Sequence, residues 1–204
     1  MTPFSVSEAA LRRALLPPPG AAIGDALEEG APPRIRPAAV LCAVVRRPSG
    51  LQVVLTQRPA TMRVHAGQIA LPGGKCDPAD RSPMAAALRE AREEIGLAPD
   101  QIDLLGPFER YVTRTGFAVT PFVGLVAPGF RALPQPGEVD EVFEAPLDFL
   151  MDPAHHQRLS REVSGRPRPY WAMPWQDRFI WGVTAGILRR LSERVAEARR
   201  AEAA

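Results

Sequence analysis

The sequence is short of cysteine, of net charge and of long apolar runs, and each shortage narrows what the chain can be. Two cysteines occur in 204 residues, Cys42 and Cys76. They lie far apart and form no Cys-x-x-Cys pair, which argues against a structural zinc site or a dithiol redox motif. Cys42 is expected in a buried strand and Cys76 in a loop. A formal net charge of +2 is too small to make nucleic acid the main partner. No apolar run approaches the ~20 residues of a membrane span. The N-terminal stretch "MTPFSVSEAALRRALLPPPG" lacks the basic start and apolar run of a signal peptide. The expectation is a cytoplasmic protein that does not engage a membrane.

What the sequence does have is the length for a full-sized core and 23 prolines gathered in connecting segments. Residues 6–15 read as a short amphipathic helix, and residues 17–36 as a Pro/Gly/Ala-rich arm. The division expected is an arm over 1–35 and one domain over 36–204. Pro37–Arg47 and "LQVVLTQR" read as a hairpin turned by "SG". Residues 58–74 read mostly as loop. A helix is expected from Ser82 to Ile95, with Ser82 as N-cap, Pro83 at the first position and Gly96 at the C-cap. "IDLLGPFERYVT" and "FAVTPFVGLVA" read as strands around a turn at Arg114–Gly116. "EVFEAPLDFLMD" reads as a strand entering a short helix, and "RPYWAMPW" as a strand. "RFIWGVTAGILRRLSERVAEARR" reads as a long C-terminal helix. With no internal repeat and no regular βαβ alternation, a mixed sheet flanked by helices is the expected α/β architecture.

Within the Ser82–Ile95 helix, "ALREAREEIGL" packs Glu90, Glu93 and Glu94 into five positions. At about 100° per residue, Met84, Leu88, Ala91 and Ile95 form an apolar stripe and the glutamates fall away from it. A solvated charged face is one reading. The other is a cation site. The helix follows directly on "LPGGK", where glycine lets backbone approach a ligand, and clustered carboxylates beside such a loop suit Mg²⁺ or Mn²⁺.

These residues resemble the box of the Nudix hydrolases. "REAREEIGL", Arg89–Leu97, matches its second half, with Ala91 small where a larger aliphatic is usual. Gly74 corresponds to the leading glycine. Asp80 stands where the box carries its first acid, with one extra residue before Arg89, which leaves the role of Asp80 open. Upstream, "LTQRPATMRVHAGQIALPGG" looks like the signature of the coenzyme A pyrophosphatase branch. Arg58, Arg63, Gly67, Pro72, Gly73 and Gly74 are in register, and Val54, Pro59 and Leu71 are replacements. "EVDEVFEAPLDFL" and "FIWGVTAGIL" also look like that branch, and the resemblance spans roughly Arg36–Leu191.

The resemblance implies a Nudix α/β/α sandwich with a loop–helix–loop box. It implies metal-dependent hydrolysis of the diphosphate of coenzyme A or its thioesters, giving 3′,5′-ADP and (acyl-)4′-phosphopantetheine. Glu90 and Glu94 are then the first metal ligands. Glu93 is a further ligand or helps activate water, and the Gly74 carbonyl is a candidate ligand. Which glutamate acts as base stays open. Arg89, four residues before Glu93, either orients that carboxylate or makes an ordinary surface pair. Arg58, Arg63, His65, Gly67 and Gly73 are the substrate-binding candidates. Glu141 and Glu138 are candidates for a late-loop ligand or base, with Glu141 placed in the catalytic set. His155 and His156 read as solvent-exposed. Trp171, Trp175 and Trp181 read as core residues or as a stacking surface for adenine. The hairpin edge and the arm offer surfaces for a homodimer. The alternatives are a Nudix enzyme for ADP-ribose, a dinucleotide or a nucleoside triphosphate, and a non-enzymatic nucleotide sensor.

Overall fold

The computed structural model describes residues 4–27, 34–61, 66–163 and 165–203. In chain order these form α1 (Glu8–Leu15), β1 (Arg36–Arg47), β2 (Gly50–Gln57), β3 (Ile69–Ala70), β4 (Gly73–Lys75) and α2 (Pro83–Ile95). There follow β5 (Ile102–Pro107), β6 (Tyr111–Val112), β7 (Phe117–Val126), β8 (Glu141–Pro146) and α3 (Leu147–Met151). The chain closes with β9 (Gln157–Val163), β10 (Arg166–Trp175), β11 (Arg178–Trp181) and α4 (Val183–Ala203).

The main sheet runs β3-β2-β1-β7-β5, with β4 on β1, β6 on β7 and β8 on β2. It is mixed: β1 and β7 are parallel, and β2 and β4 meet β1 antiparallel. β1 changes partner along its length. Val44–Arg47 pair with β2, whereas Ala38–Val40 pair with Gly73–Lys75. This second pairing turns the "LPGGK" stretch from loop into a short strand and fixes the segment that leads to α2.

The period of two in β1 sorts its side chains into two cores. Ala39, Leu41, Ala43 and Val45 pack with Ala86, Ala87, Ala91 and Ile95 of α2. Ala38, Cys42 and Val44 face the opposite core, built with α1, α3 and α4. The result is the expected α/β/α sandwich. A second sheet, β11-β10-β9, adds Met173 and Ile180 to the α4 side. Cys42 is fully buried in β1, and Cys76 is half-buried just after β4. No helix among the described residues is long and apolar enough to cross a membrane.

Four expectations need correction. The C-terminal helix starts at Val183, because Arg178–Trp181 pairs antiparallel with β10; Ile180 is buried there and Phe179 exposed, a strand alternation. β9 was not foreseen: it is largely exposed and polar, so it carries no apolar alternation to read. The buried side of α2 is also rotated from the expected stripe. Met84 is exposed, and the face toward the sheet is Ala86, Ala87, Ala91, Glu94 and Ile95. Small side chains let the helix approach β1 closely, and Glu94 goes in with them. Lastly, His155 and His156 are half-buried. His155 stacks on Phe149 at 4.0 Å. Nδ1 of His155 lies 3.0 Å from the Phe149 carbonyl and Nε2 of His156 lies 2.8 Å from that of Leu150, so both serve the carbonyls left open at the end of α3.

The described part of the arm lies against the domain. Ile23 donates to the Arg110 carbonyl at 2.8 Å and accepts from the Val112 amide at 2.7 Å. α1 packs on α4 through Ala10, Leu11, Ala14 and Leu15.

Candidate active site

The caps of α2 form as their residue types dictate. Ser82 accepts from the Ala85 amide at 3.2 Å, and Gly96 takes the left-handed conformation at φ 69°. With both ends fixed and one side on β1, the helix aims its carboxylates at the Gly73–Gly74 segment.

Two glycines make that approach possible. A Cβ on Gly74 would stand 2.6 Å from the Glu90 carboxyl carbon, and one on Gly73 would stand 2.4 Å from the Ala39 carbonyl oxygen. Gly73 also has φ 150°, a region other residues avoid. Its amide donates to Glu94 Oε2 at 3.1 Å. Glu94 is 5% exposed. Burial pushes its carboxyl up to about 7, against the Gly73 hydrogen bond, with Glu90 and Glu138 adding repulsion and Arg58 relieving some of it. Glu90 is raised too, first by burial, then by Glu93 and Glu138, with Arg89 opposing. A buried pair of acids that resist ionisation is a setting that a positive ion relieves.

Arg89 organises the acids around it. Its Nη1 donates to Glu90 Oε1 at 3.0 Å and to Glu93 Oε2 at 2.9 Å. Its Nε and Nη2 fork onto Asp80, and Nη2 also reaches the Lys75 carbonyl at 3.2 Å. The sequence foresaw the Glu93 contact and left Asp80 without a role. Asp80 takes two hydrogen bonds from Arg89, and it holds the loop before the helix by accepting from the Asp77 amide at 2.8 Å. Glu93 stays about half-exposed on the outer side of the guanidinium.

Glu141 and Glu138 separate clearly. The Glu141 carboxylate is forked by Arg178 at 2.8 and 2.7 Å, which holds its carboxyl below the usual range and ties β8 to β11. Glu138 lies in the exposed loop before β8 and is near enough to raise both Glu90 and Glu94.

A cavity of about 520 Å³ is lined by Arg58 and Gly73 among others, and the Gly73 amide that donates to Glu94 links it to that carboxylate. The buried Nε of Arg58 has no hydrogen-bond partner among the described residues, a cost that a phosphate oxygen would remove. Gly67 lies outside this lining; it closes the loop by donating to the Arg58 carbonyl at 3.1 Å. Arg63 and His65 lie outside the described residues. Trp171 and Trp181 line the cavity, whereas Trp175 stacks on Phe143 at 6.1 Å. Sequence reasoning missed Ile23, Gly24 and Asp25 of the arm, which form part of the wall, and Arg158, Arg161 and Arg189. A polar strand and a Pro/Gly-rich arm carry no sequence signal for lining a pocket.

No three His, Cys, Asp or Glu side chains among the described residues close into a complete metal cage. The residues present still fit Mg²⁺ or Mn²⁺. Such ions use one or two carboxylates, keep several waters and take the rest of their oxygens from substrate phosphates. Glu90, Glu94 and the glycine segment offer that donor set, with hard oxygens only.

A family profile described as the NUDIX domain matches residues 35–164. The chain is 44% identical over 163 residues to the uncharacterized Nudix hydrolase NudL of Cronobacter sakazakii, covering 79% of this chain and 84% of that one. It is 37% identical to the NudL of Photorhabdus laumondii, covering 88% and 91%. A NUDIX hydrolase structure from Alicyclobacillus acidocaldarius shares the fold at TM-score 0.50 and 20% identity, covering 78% of this chain and 91% of that one. Box residues, sheet topology and close relatives agree, and the chain belongs to the Nudix hydrolase family.

Proposed function

We propose that this Nudix hydrolase cleaves the diphosphate of coenzyme A or of its thioesters, releasing 3′,5′-ADP and 4′-phosphopantetheine or its acyl form. The observation that carries the reading is the junction at Gly73. Gly73 donates to one of the paired carboxylates and also lines an arginine- and tryptophan-bearing cavity. The upstream arginine signature supports the same substrate.

In this reading Glu90 and Glu94 hold the divalent cation, with the Gly74 carbonyl as a further donor. A bound Mg²⁺ or Mn²⁺ supplies charge stabilisation to the diphosphate oxygens and makes water a better nucleophile. Glu93 is kept by Arg89 at the rim, where it serves a second ion or a bound water. Arg89 positions Glu90 and Glu93 through its own anchorage on Asp80. Arg58 donates to a diphosphate oxygen, and Arg63 and His65, which follow it in the sequence, are further candidates to bind substrate. Gly73 supplies close approach and Gly67 closes that loop. Glu138, rather than Glu141, is the acid available to take a proton from water, since Glu141 is committed to Arg178. Water gives a proton to Glu138 and attacks one phosphorus, the bond from that phosphorus to the bridging oxygen breaks, and 3′,5′-ADP and (acyl-)4′-phosphopantetheine leave.

The test is incubation with coenzyme A and Mg²⁺ or Mn²⁺ with identification of products. Metal-dependent release of 3′,5′-ADP supports the reading. Much faster cleavage of ADP-ribose, a dinucleotide or a nucleoside triphosphate moves the substrate elsewhere in the family. Nucleotide binding without turnover makes the chain a sensor, a reading that the retention of Glu90, Glu93 and Glu94 disfavours.

A further inference from the structure

The cavity beside Gly73 has an aliphatic interior. Val40, Ile69 and Val119 come from the main sheet, Val183 and Ile187 from α4, and Ile23 from the arm. Ile69, Val119 and Ile187 are buried, and Ile23, Val40 and Val183 are partly buried against the same core. A packed interior leaves few voids larger than a water molecule. An opening of about 520 Å³ walled in this way is in the range of small-molecule sites, and an apolar part of a ligand gains most by filling it.

The rings and charges around this interior are largely engaged. The register pairs Trp171 with Arg158 and Ala172 with Trp181, so Trp171 and Trp181 stand on opposite faces of the β9–β10–β11 sheet and do not form one stacking wall. Trp171 lies under the Arg189 guanidinium at 4.2 Å, and Phe117 under that of Arg36 at 4.0 Å. The Tyr111 ring is pressed on Gly186, where a Cβ would stand 2.5 Å from Cε2. Asp25 holds Arg114 at 3.1 Å and Glu193 holds Arg189 at 2.5 Å. The Thr184 hydroxyl is spent on the Ile69 carbonyl at 3.0 Å. Of the lining arginines, Arg58 is the one with a buried unmet donor among the described residues, and that donor is assigned to the diphosphate.

Ile23, Val183 and Ile187 lie outside residues 35–164, the stretch matched as the NUDIX domain, so half of the aliphatic wall comes from segments beyond the shared domain. Such a wall penalises a charged 3′-phosphate, whereas each methylene buried in it is worth about fourfold in affinity.

We infer that the cavity seats the acyl-pantetheine half of a coenzyme A thioester, with an aliphatic acyl chain against Ile23, Val183 and Ile187, and that such thioesters are preferred over free coenzyme A. This rests on coenzyme A being the parent substrate, and it names the form of that substrate the site takes. The diphosphate lies at Arg58 and the glutamates, and the 3′-phosphoadenosine half lies outside the cavity.

Two measurements on the full chain test this. In the first, kcat/KM is measured with Mg²⁺ for free, acetyl-, butyryl- and octanoyl-coenzyme A. Wild type is expected to gain at least tenfold from free to octanoyl-coenzyme A. Ile23→Trp and Val183→Trp add bulk to the cavity from two separate elements, and each is expected to reduce that ratio about tenfold, with thermal melts reporting on the fold. In the second, metal-free calorimetric titration of wild type compares 4′-phosphopantetheine with its octanoyl thioester, and the acylated form is expected to bind at least tenfold more tightly. A series flat in acyl length, a preference for free coenzyme A, equal binding of the two pantetheine phosphates, or an unchanged ratio in both folded variants overturns the inference; release of 3′,5′-ADP from coenzyme A then leaves the function itself in place. If neither variant folds, the wild-type series and the titration decide. If wild type cleaves neither coenzyme A nor any thioester but does cleave another diphosphate, the substrate reading itself fails and this inference falls with it.

Discussion

Arg89 grips Asp80 with two parallel hydrogen bonds, Nε to Oδ1 at 3.1 Å and Nη2 to Oδ2 at 3.0 Å. The same guanidinium reaches Glu90 and Glu93 with Nη1. Asp80 therefore sets the angle at which Arg89 presents itself to the acids of the box. Arg89→Lys loses the fork, and Asp80→Asn weakens its anchor. Both variants are expected to need about ten times more Mg²⁺ for half-maximal activity or more, in the range seen when groups behind metal ligands are altered. A magnesium titration of turnover, beside a thermal melt showing an intact fold, checks this. An unchanged magnesium requirement in both would reduce the cluster to an ordinary surface network.

Glu94→Gln separates charge from shape. The Gln carbonyl still accepts from the Gly73 amide, so the segment keeps its place on β1 and stability should hold. What disappears is the anionic donor. Turnover is expected to fall by about a hundredfold or more, together with Mn²⁺ uptake measured by electron paramagnetic resonance. Full activity in this variant would show that the buried acid serves folding alone.

Glu138 and Glu141 give opposite expectations despite lying three residues apart. Glu138→Gln should slow turnover by about a hundredfold, as loss of a general base does, with KM little changed. Glu141→Gln should leave kcat within about twofold and lower the melting temperature, because Arg178 loses its charged partner. Steady-state kinetics and melts on the two purified variants decide it. The reverse pattern would return the proton-transfer role to Glu141.

What was legible in the sequence was local. Ser82, Pro83 and Gly96 announce the ends of α2 because caps are written in neighbouring residues. The two apolar runs of β1 and β2, broken at Ser49–Gly50, announce the hairpin. What stayed hidden depended on contacts distant in sequence. The inward turn of Glu94 follows from the alanine face meeting β1, and a search for large apolar residues finds Met84 and Leu88 instead. The capture of Glu141 depends on Arg178, 37 residues on. β9 is largely polar and exposed and exists through its pairing with β10. The cavity wall at Ile23–Asp25 needs the arm to dock on Tyr111 and Val112, which no composition reports.

That docking has an acid-sensitive anchor. Glu109, with 4% of its side chain exposed, accepts from Arg190 at 2.9 Å, Arg194 at 2.8 Å and the Gly20 amide of the arm at 3.2 Å. Arg194 in turn donates to the Ala14 carbonyl at 2.8 Å. Burial alone would raise the Glu109 carboxyl, but the arginine and amide hydrogen bonds outweigh it and hold it at about 2, below its ordinary 4.5. A carboxyl lowered by folding favours the folded state at all pH above its unfolded value. That contribution drains away as pH falls from 4.5 toward 2, where the folded form is protonated as well. Glu109→Gln leaves buried arginines without their counter-charge and is expected to cost roughly 3 kcal/mol at neutral pH. Denaturant melts of wild type and variant should differ by that amount at pH 7 and converge as pH drops below 4.5. A gap that stays constant down to the acid limit would mean that the Glu109 charge does not hold the arm, and that its shape alone does.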